Sequence, residues 1–341
     1  MAPTLSILDQ SPIASGRGPV DAIQETLALA RLAEALGYAR YWLAEHHNSE
    51  ALAGPAPEIL IAAIAATTSR IRVGSAGVML PHYAALKVAE QFRVLEGIAP
   101  GRIDLGVGRA PGSDGLTALA LNPNAREAAE QFPGQLRDLL GWLGGGLPQG
   151  HPFAPIRAQP EVPTTPQVWV LGSSDYGAQV AAHFGLPYCF AHFITDGRGA
   201  EEALALYLEG FRPGVIREPH AALCVFALAG ETEAEARRLF RSRELWRLGR
   251  DRGVYRPLPS IEEAEAYPYT EADLAKLERL RARAIIGTGA QVWDRLAALA
   301  ERCGAQEMAV LTATHDAEAR RQSYALLAEA AGLKARDGAV A

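Results

Sequence analysis

A chain of 341 residues, 49% hydrophobic and 21% charged, has the make-up of a protein with a large buried core, which excludes a disordered, collagenous or disulfide-stapled chain. A formal charge of −6, with no local concentration of Lys and Arg, lacks the basic footprint that nucleic acid or an anionic membrane needs, so the expected partner is a small molecule. No run reaches the roughly 18 apolar residues of a membrane span and no basic segment leads into an apolar one at the N-terminus, so a cytoplasmic protein is expected, with Cys189, Cys224 and Cys303 as core thiols.

The first β-prone run, 4–8, ends in Asp9-Gln10-Ser11-Pro12-Ile13, without the glycine-rich turn that usually begins an open doubly wound sheet. A helix over 19–37 follows, started by Pro19 and stopped by Gly37. The second strand, 40–44, runs into Glu45-His46-His47-Asn48, whose imidazoles and carboxylate suit acid–base work or metal ligation. Adjacent histidines on a strand point to opposite sides, and no second histidine pair or carboxylate cluster stands at the other strand ends, so no metal is expected. For acid–base work one of the two suffices; a histidine satisfied by backbone hydrogen bonds is the plainer alternative. After a helix over 57–69, the third strand, 71–79, carries Gly74-Ser75-Ala76-Gly77 at its centre, small residues that mark either the close approach of a flat ligand or a bulge.

A helix over 84–98 and a strand over 102–107 lead to Gly108-Arg109 and an irregular stretch, 110–125. Beyond a helix over 126–143 comes a Gly/Pro-rich stretch, 144–166, and then the fifth strand, 167–171. That strand turns through Gly172-Ser173-Ser174 into a helix over 175–184, whose unpaired N–H groups favour an anion; an ordinary helix cap is the alternative. Arg109 can bring a cation to the same anion. Strands over 187–191, 221–228 and 307–312 complete a set of eight, separated by helices over 198–211, 232–249 and 290–303 and closed by one over 316–331. The alternation implies the α/β class and a (β/α)8 TIM barrel with insertions, one domain over 1–341, whose catalytic face is the C-terminal ends of the strands. The insertion 110–125 follows a strand and belongs on that face, whereas 144–166 leads into a strand and belongs on the opposite one. The third, 250–284, contains a charged helix around Glu271–Arg283 and reads as a lid or an oligomer arm.

Four segments, Trp42 to Asn48, Val73 to Pro81, Gly101 to Arg109 and Leu171 to Gly177, occur in the order in which the bacterial luciferase-like flavin-dependent monooxygenases carry theirs, and the chain resembles that family over nearly its whole length. The resemblance implies a monooxygenase that uses reduced FMN, supplied by a transiently bound flavin reductase, and O2 to oxidise a small organic substrate. It implies a non-proline cis peptide at Ala76–Gly77 beneath the flavin ring, with Leu171 and Gly108 beside the cofactor. The phosphate falls to Gly172, Ser173 and Tyr176 with Arg109 nearby, and Arg126 aligns as a second phosphate arginine. His46 matches the catalytic histidine, ahead of His47. Gly108 stands where the family has a reactive cysteine, so light emission is not implied. The family also implies a homodimer. Three other readings share the barrel: a deazaflavin-dependent hydride-transfer oxidoreductase, a non-catalytic flavin-binding protein, and an isomerase or aldolase that uses Gly172–Ser174 for a substrate phosphate.

Overall fold

A computed structural model describes residues 2–334. It contains nine parallel strands among these residues: β1 (Thr4–Asp9), β2 (Arg40–Leu43), β3 (Arg72–Met79), β4 (Ile103–Gly108), β5 (Gln167–Gly172), β6 (Tyr188–Phe190), β7 (Ala221–Gly230), β8 (Ile285–Thr288) and β9 (Glu307–Leu311). Eight close on themselves in the order β1, β2, β3, β4, β5, β6, β7, β9 and back to β1, a TIM barrel surrounded by helices.

The ninth strand is a departure from the eightfold repeat. β8 pairs only with the far half of β7, Ala227–Gly230 against Ile285–Thr288, outside the closed ring. It is a four-residue run between two helices, too short for its alternation to register as a strand in sequence. A second departure lies in the expected helix over 126–143, which breaks into Ala125–Glu130 and Phe132–Leu143. Pro133 sits in the first turn of the second piece, where a residue without an N–H begins a helix at no cost but cannot continue one. Gly115–Leu121, inside 110–125, is also helical.

Alternation along each strand builds two cores. On β7, Ala222, Cys224, Phe226 and Leu228 face the barrel interior with Leu8, Trp42, Trp169 and Leu311, while Ala221, Leu223, Val225 and Ala227 pack against the outer helices. The N-terminal end of the barrel is closed by charge. Arg40 donates to Asp104 at 2.8 Å and pairs with Glu307 at 2.9 Å; Arg72 meets the other oxygen of Asp104 at 2.6 Å, and His220 lies 3.0 Å from Glu307. Burial alone pushes the Glu307 carboxyl up, but the bond from His220 and the charge of Arg40 outweigh it and hold the group below its ordinary range.

The segments 144–166 and 250–284 sit at opposite ends of the barrel. In 144–166, Thr164 donates to Glu96 at 2.6 Å, at the end of the helix that feeds the start of β4. Residues 250–284 lie over the opposite, C-terminal face. Leu258 donates to Ile13 at 2.7 Å and accepts from Ser15 at 2.8 Å, pinning the insertion to the loop after β1. The helix Glu233–Asp251 that precedes it turns Leu239, Phe240 and Trp246 onto the interior core, so it covers the barrel mouth as well as flanking it.

Candidate functional site

Just past the end of β2 the chain presents three polar side chains in succession, Glu45, His46 and His47. Glu45 is buried and fully engaged: it accepts from Met79 N–H at 3.2 Å and from the Tyr83 hydroxyl at 2.8 Å, and lies 2.7 Å from His47 Nε2. His46, like Glu45, lines a cavity at the C-terminal ends of the strands. Its Nδ1 is shielded from solvent and has no hydrogen-bond partner among the described residues. Burial first, and then the positive charges of Arg250 and His47, push its pKa down to about 4, so the ring is neutral at neutral pH. Of the strand-end histidines His46, His47, His82, His192 and His315, only His46 lines this cavity. His82 and His315 bond to the carbonyls of Pro111 and Ser15 at 2.7 and 2.9 Å.

Ala76 and Gly77 form one wall, joined by a cis peptide. The register between β3 and β4 shifts from Ser75 to Val78, so the small residues do mark a bulge, and they also face the cavity. The two strands approach so closely here that side chains are excluded. A Cβ on Gly106 would lie 2.2 Å from the Ser75 carbonyl oxygen, and one on Gly77 would lie 2.8 Å from Leu171 Cδ1 and 2.9 Å from the Gly106 carbonyl oxygen. Leu171 thus packs against the bulge. Gly108, also in the lining, is different: a Cβ there would meet the Met79 thioether at 3.6 Å and the Leu171 carbonyl oxygen at 4.0 Å, ordinary contacts.

The opposite end of the cavity is polar. Gly172 ends β5, Ser173 follows, and Ser174 precedes the ten-residue helix Asp175–Phe184 without capping it through its side chain. The first N–H groups of that helix therefore remain available beside the cavity. Tyr188 fixes the turn by donating to the Ser174 carbonyl at 3.0 Å. Arg109 is exposed, and its guanidinium lies 3.9 Å over the Tyr176 ring, with no ion pair to any described residue.

His46, Ala76, Gly77, Gly108, Arg109, Leu171, Gly172, Ser173 and Tyr176 therefore line one cavity. Arg126 is not among these lining residues; it is exposed on the short helix Ala125–Glu130. Asp9, at the end of β1, is buried in a pair with Arg320 at 2.6 Å and accepts from Tyr41 and Thr26, a structural use of a strand-end carboxylate. Phe193 and Ile194 line the cavity from His192–Thr195, a single helical turn with no period to read in sequence. Among the described residues no group of three His, Cys, Asp or Glu side chains converges as a metal site, and no helix is long and apolar enough to cross a membrane.

The luciferase-like monooxygenase family model matches residues 4–307. Two similar proteins of Bacillus subtilis (strain 168) are the uncharacterized protein YceB, 46% identical over 95% of this chain and 98% of its own, and N-acetyl-S-alkylcysteine monooxygenase, 38% identical over 96% and 97%. Among solved structures, apo-MsnO8 is 38% identical, covers 98% of both chains and superposes with a TM-score of 0.87. Two others share the fold alone. They are the oxygenating constituent of 3,6-diketocamphane monooxygenase from Pseudomonas putida in complex with FMN (17% identity, 96% and 97% coverage, TM-score 0.69) and an F420-dependent secondary alcohol dehydrogenase (14%, 95% and 98%, 0.64).

Proposed function

Because the chain belongs to the luciferase-like monooxygenase family, we propose that it is an FMN-dependent monooxygenase, acting on a small organic substrate with reduced FMN from a separate flavin reductase and O2. The observation that carries this reading is the joining, in one cavity, of a buried unpartnered imidazole nitrogen and a polar end built for an anion. When bound, reduced FMN supplies two electrons, so that one oxygen atom of O2 enters the substrate and the other leaves as water.

The residues present fit such a cofactor. The N–H groups at the start of Asp175–Phe184, the Ser173 hydroxyl and the Arg109 guanidinium suit a phosphate, and the Tyr176 ring holds Arg109 in place. Ala76 and Gly77 leave a wall free of projecting side chains, against which a flat ring can lie. Trp42 and Leu171 add apolar surface that excludes water. His46, neutral at working pH, can accept a proton at Nδ1 or donate one there, according to tautomer. With Gly108 where a reactive cysteine stands in luciferases, the reaction is expected to be dark.

Among its relatives, the one named for N-acetyl-S-alkylcysteine suggests thioethers for a substrate panel. The test measures O2 consumption by purified protein with reduced FMN and that panel, beside His46→Ala. Substrate-dependent uptake that the variant loses supports the proposal. Tight FMN binding with no turnover overturns it in favour of a flavin-binding protein, and reduction of a deazaflavin without O2 overturns it in favour of hydride transfer. We further propose a homodimer in the cytoplasm; sedimentation showing only monomer would reject the dimer.

A further inference from the structure

Arg243, on the helix over the barrel mouth, is only 3% exposed, yet it makes no hydrogen bond or ion pair with any described residue, and its Nη1 is fully shielded from solvent. Its guanidinium lies 3.8 Å over the Phe226 ring, on the interior face of β7. That contact leaves the in-plane N–H donors unused. Burying a charge without a counter-ion is unfavourable enough that folded proteins pair almost all of them. The one carboxylate lining the same small cavity, Asp196, acts on Arg243 through its charge but makes its ion pair with Arg247, at 3.3 Å.

The space around Arg243 has the size and connections of a subsite. Arg243 lines a cavity of about 30 Å³, room for one small polar group. Phe193 forms part of both this cavity and the one holding His46, so the two adjoin. On its outer side Arg283 is shared with a surface cleft in which Arg198, Arg247, Lys276, Arg279 and Arg283 outnumber two carboxylates. A cationic cleft of this kind attracts anions toward its inner end. Arg109 and the helix Asp175–Phe184, the elements suited to a cofactor phosphate, come from the β4 and β5 side, whereas Arg243 comes from the β7 side.

We propose that Arg243 anchors a carboxylate of the organic substrate, which is held in the His46 cavity with its acid group reaching past Phe193 to the guanidinium and its oxidisable part toward His46. The guanidinium matches a carboxylate with two parallel N–H donors, and the Phe226 ring fixes the plane of the fork. The inference deepens the monooxygenase reading and rests on it: the substrate class becomes organic acids.

The test uses the full chain loaded with oxidised FMN, with N-acetyl-S-benzylcysteine, its methyl ester and acetate as probes in calorimetric titration and thermal melting. The wild type is expected to bind the acid about tenfold or more tightly than the ester, with acetate giving no comparable shift in melting temperature. Arg243→Met should lose the preference for the acid while binding FMN as the wild type does, and should melt no lower than the wild type without ligand, since Met removes an unpaired buried charge. Arg243→Lys should keep part of the preference, having the charge without the fork. Failure of the acid to bind, equal binding of acid and ester, a preference that survives in Arg243→Met, or a shift that acetate alone reproduces would each overturn the anchor. Failure of the wild type to bind FMN is a separate result, which overturns the flavin reading; acid and ester are then compared on the flavin-free chain.

Discussion

The guanidinium of Arg109 rests 3.9 Å above the ring of Tyr176, so a loop arginine from the end of β4 is held over the first turn of the helix after β5. An exposed arginine ordinarily samples many rotamers; stacking on a ring confines it and lowers the entropy lost when it meets an anion. Arg109→Ala is therefore expected to weaken FMN binding by about ten- to a hundredfold, the range for a hydrogen bond to a charged group, and to leave riboflavin binding unchanged. Tyr176→Leu should give a smaller loss of the same kind. Flavin-fluorescence titrations with the two ligands check both; equal loss for riboflavin would place Arg109 elsewhere than at the phosphate.

The glycines of the β3–β4 wall are not equivalent. Gly106→Ala should destabilise the protein by about 1–3 kcal/mol through overpacking, because its Cβ would sit 2.2 Å from the Ser75 carbonyl oxygen with Leu171 Cδ1 at 2.4 Å. Gly108→Ala and Gly108→Cys have space beside Met79 and should change stability little. Urea unfolding of the three variants separates the positions.

His46 has a pKa lowered to about 4 by burial, Arg250 and His47. The unfolded chain, whose histidine titrates near 6.5, binds more protons than the folded one between these values, so this group's contribution makes stability rise with pH across that window and fall on acidification. His46→Gln should flatten the pH dependence of unfolding between about pH 4 and 6.5. An NMR titration should find the His46 ring neutral down to about pH 4. Turnover should drop by roughly 10²- to 10⁴-fold in His46→Ala if the ring is the general base or acid.

Asp9 is buried between Arg320, Tyr41 and Thr26. Burial raises its pKa, but the charge of Arg320 and the Tyr41 hydroxyl bond outweigh this and the net shift is downward. Its contribution is thus present above the unfolded value near 4 and lost as pH falls through the lower folded value. Asp9→Asn should cost about 3–5 kcal/mol at neutral pH, the usual result of stranding a buried partner, and urea midpoints at pH 7 and in acid read it out.

The barrel was legible because its strands alternate with amphipathic helices over nearly the whole length, and the site was legible where the backbone itself is specialised: small residues at Ala76 and Gly77, Gly-Ser-Ser before a helix, histidines at a strand end. What stayed hidden was tertiary. β8 is too short to show a period, and His192–Thr195 is a single turn. Arg243 lies in a helix that also holds Arg237, Arg238, Arg241, Arg247 and Arg250, so in sequence it reads as one more solvated charge. Only the covering of the barrel mouth by that helix buries it. The break between Ala125–Glu130 and Phe132–Leu143 was hidden too, because the apolar pattern runs on across it.

The ionic plug of Arg40, Arg72, Asp104, Glu307 and His220 sits at the starts of the strands, and the cavity sits at their ends. A six-residue strand such as β4 separates the two by about 20 Å, beyond the range at which substitutions ordinarily couple. The plug is thus too far from the cavity to couple to it directly, although the strand ends carry stability of their own through Asp9 and the tight glycines of the wall. Substitutions at the mouth and in 250–284 leave untouched the ionic network that closes the other end of the barrel.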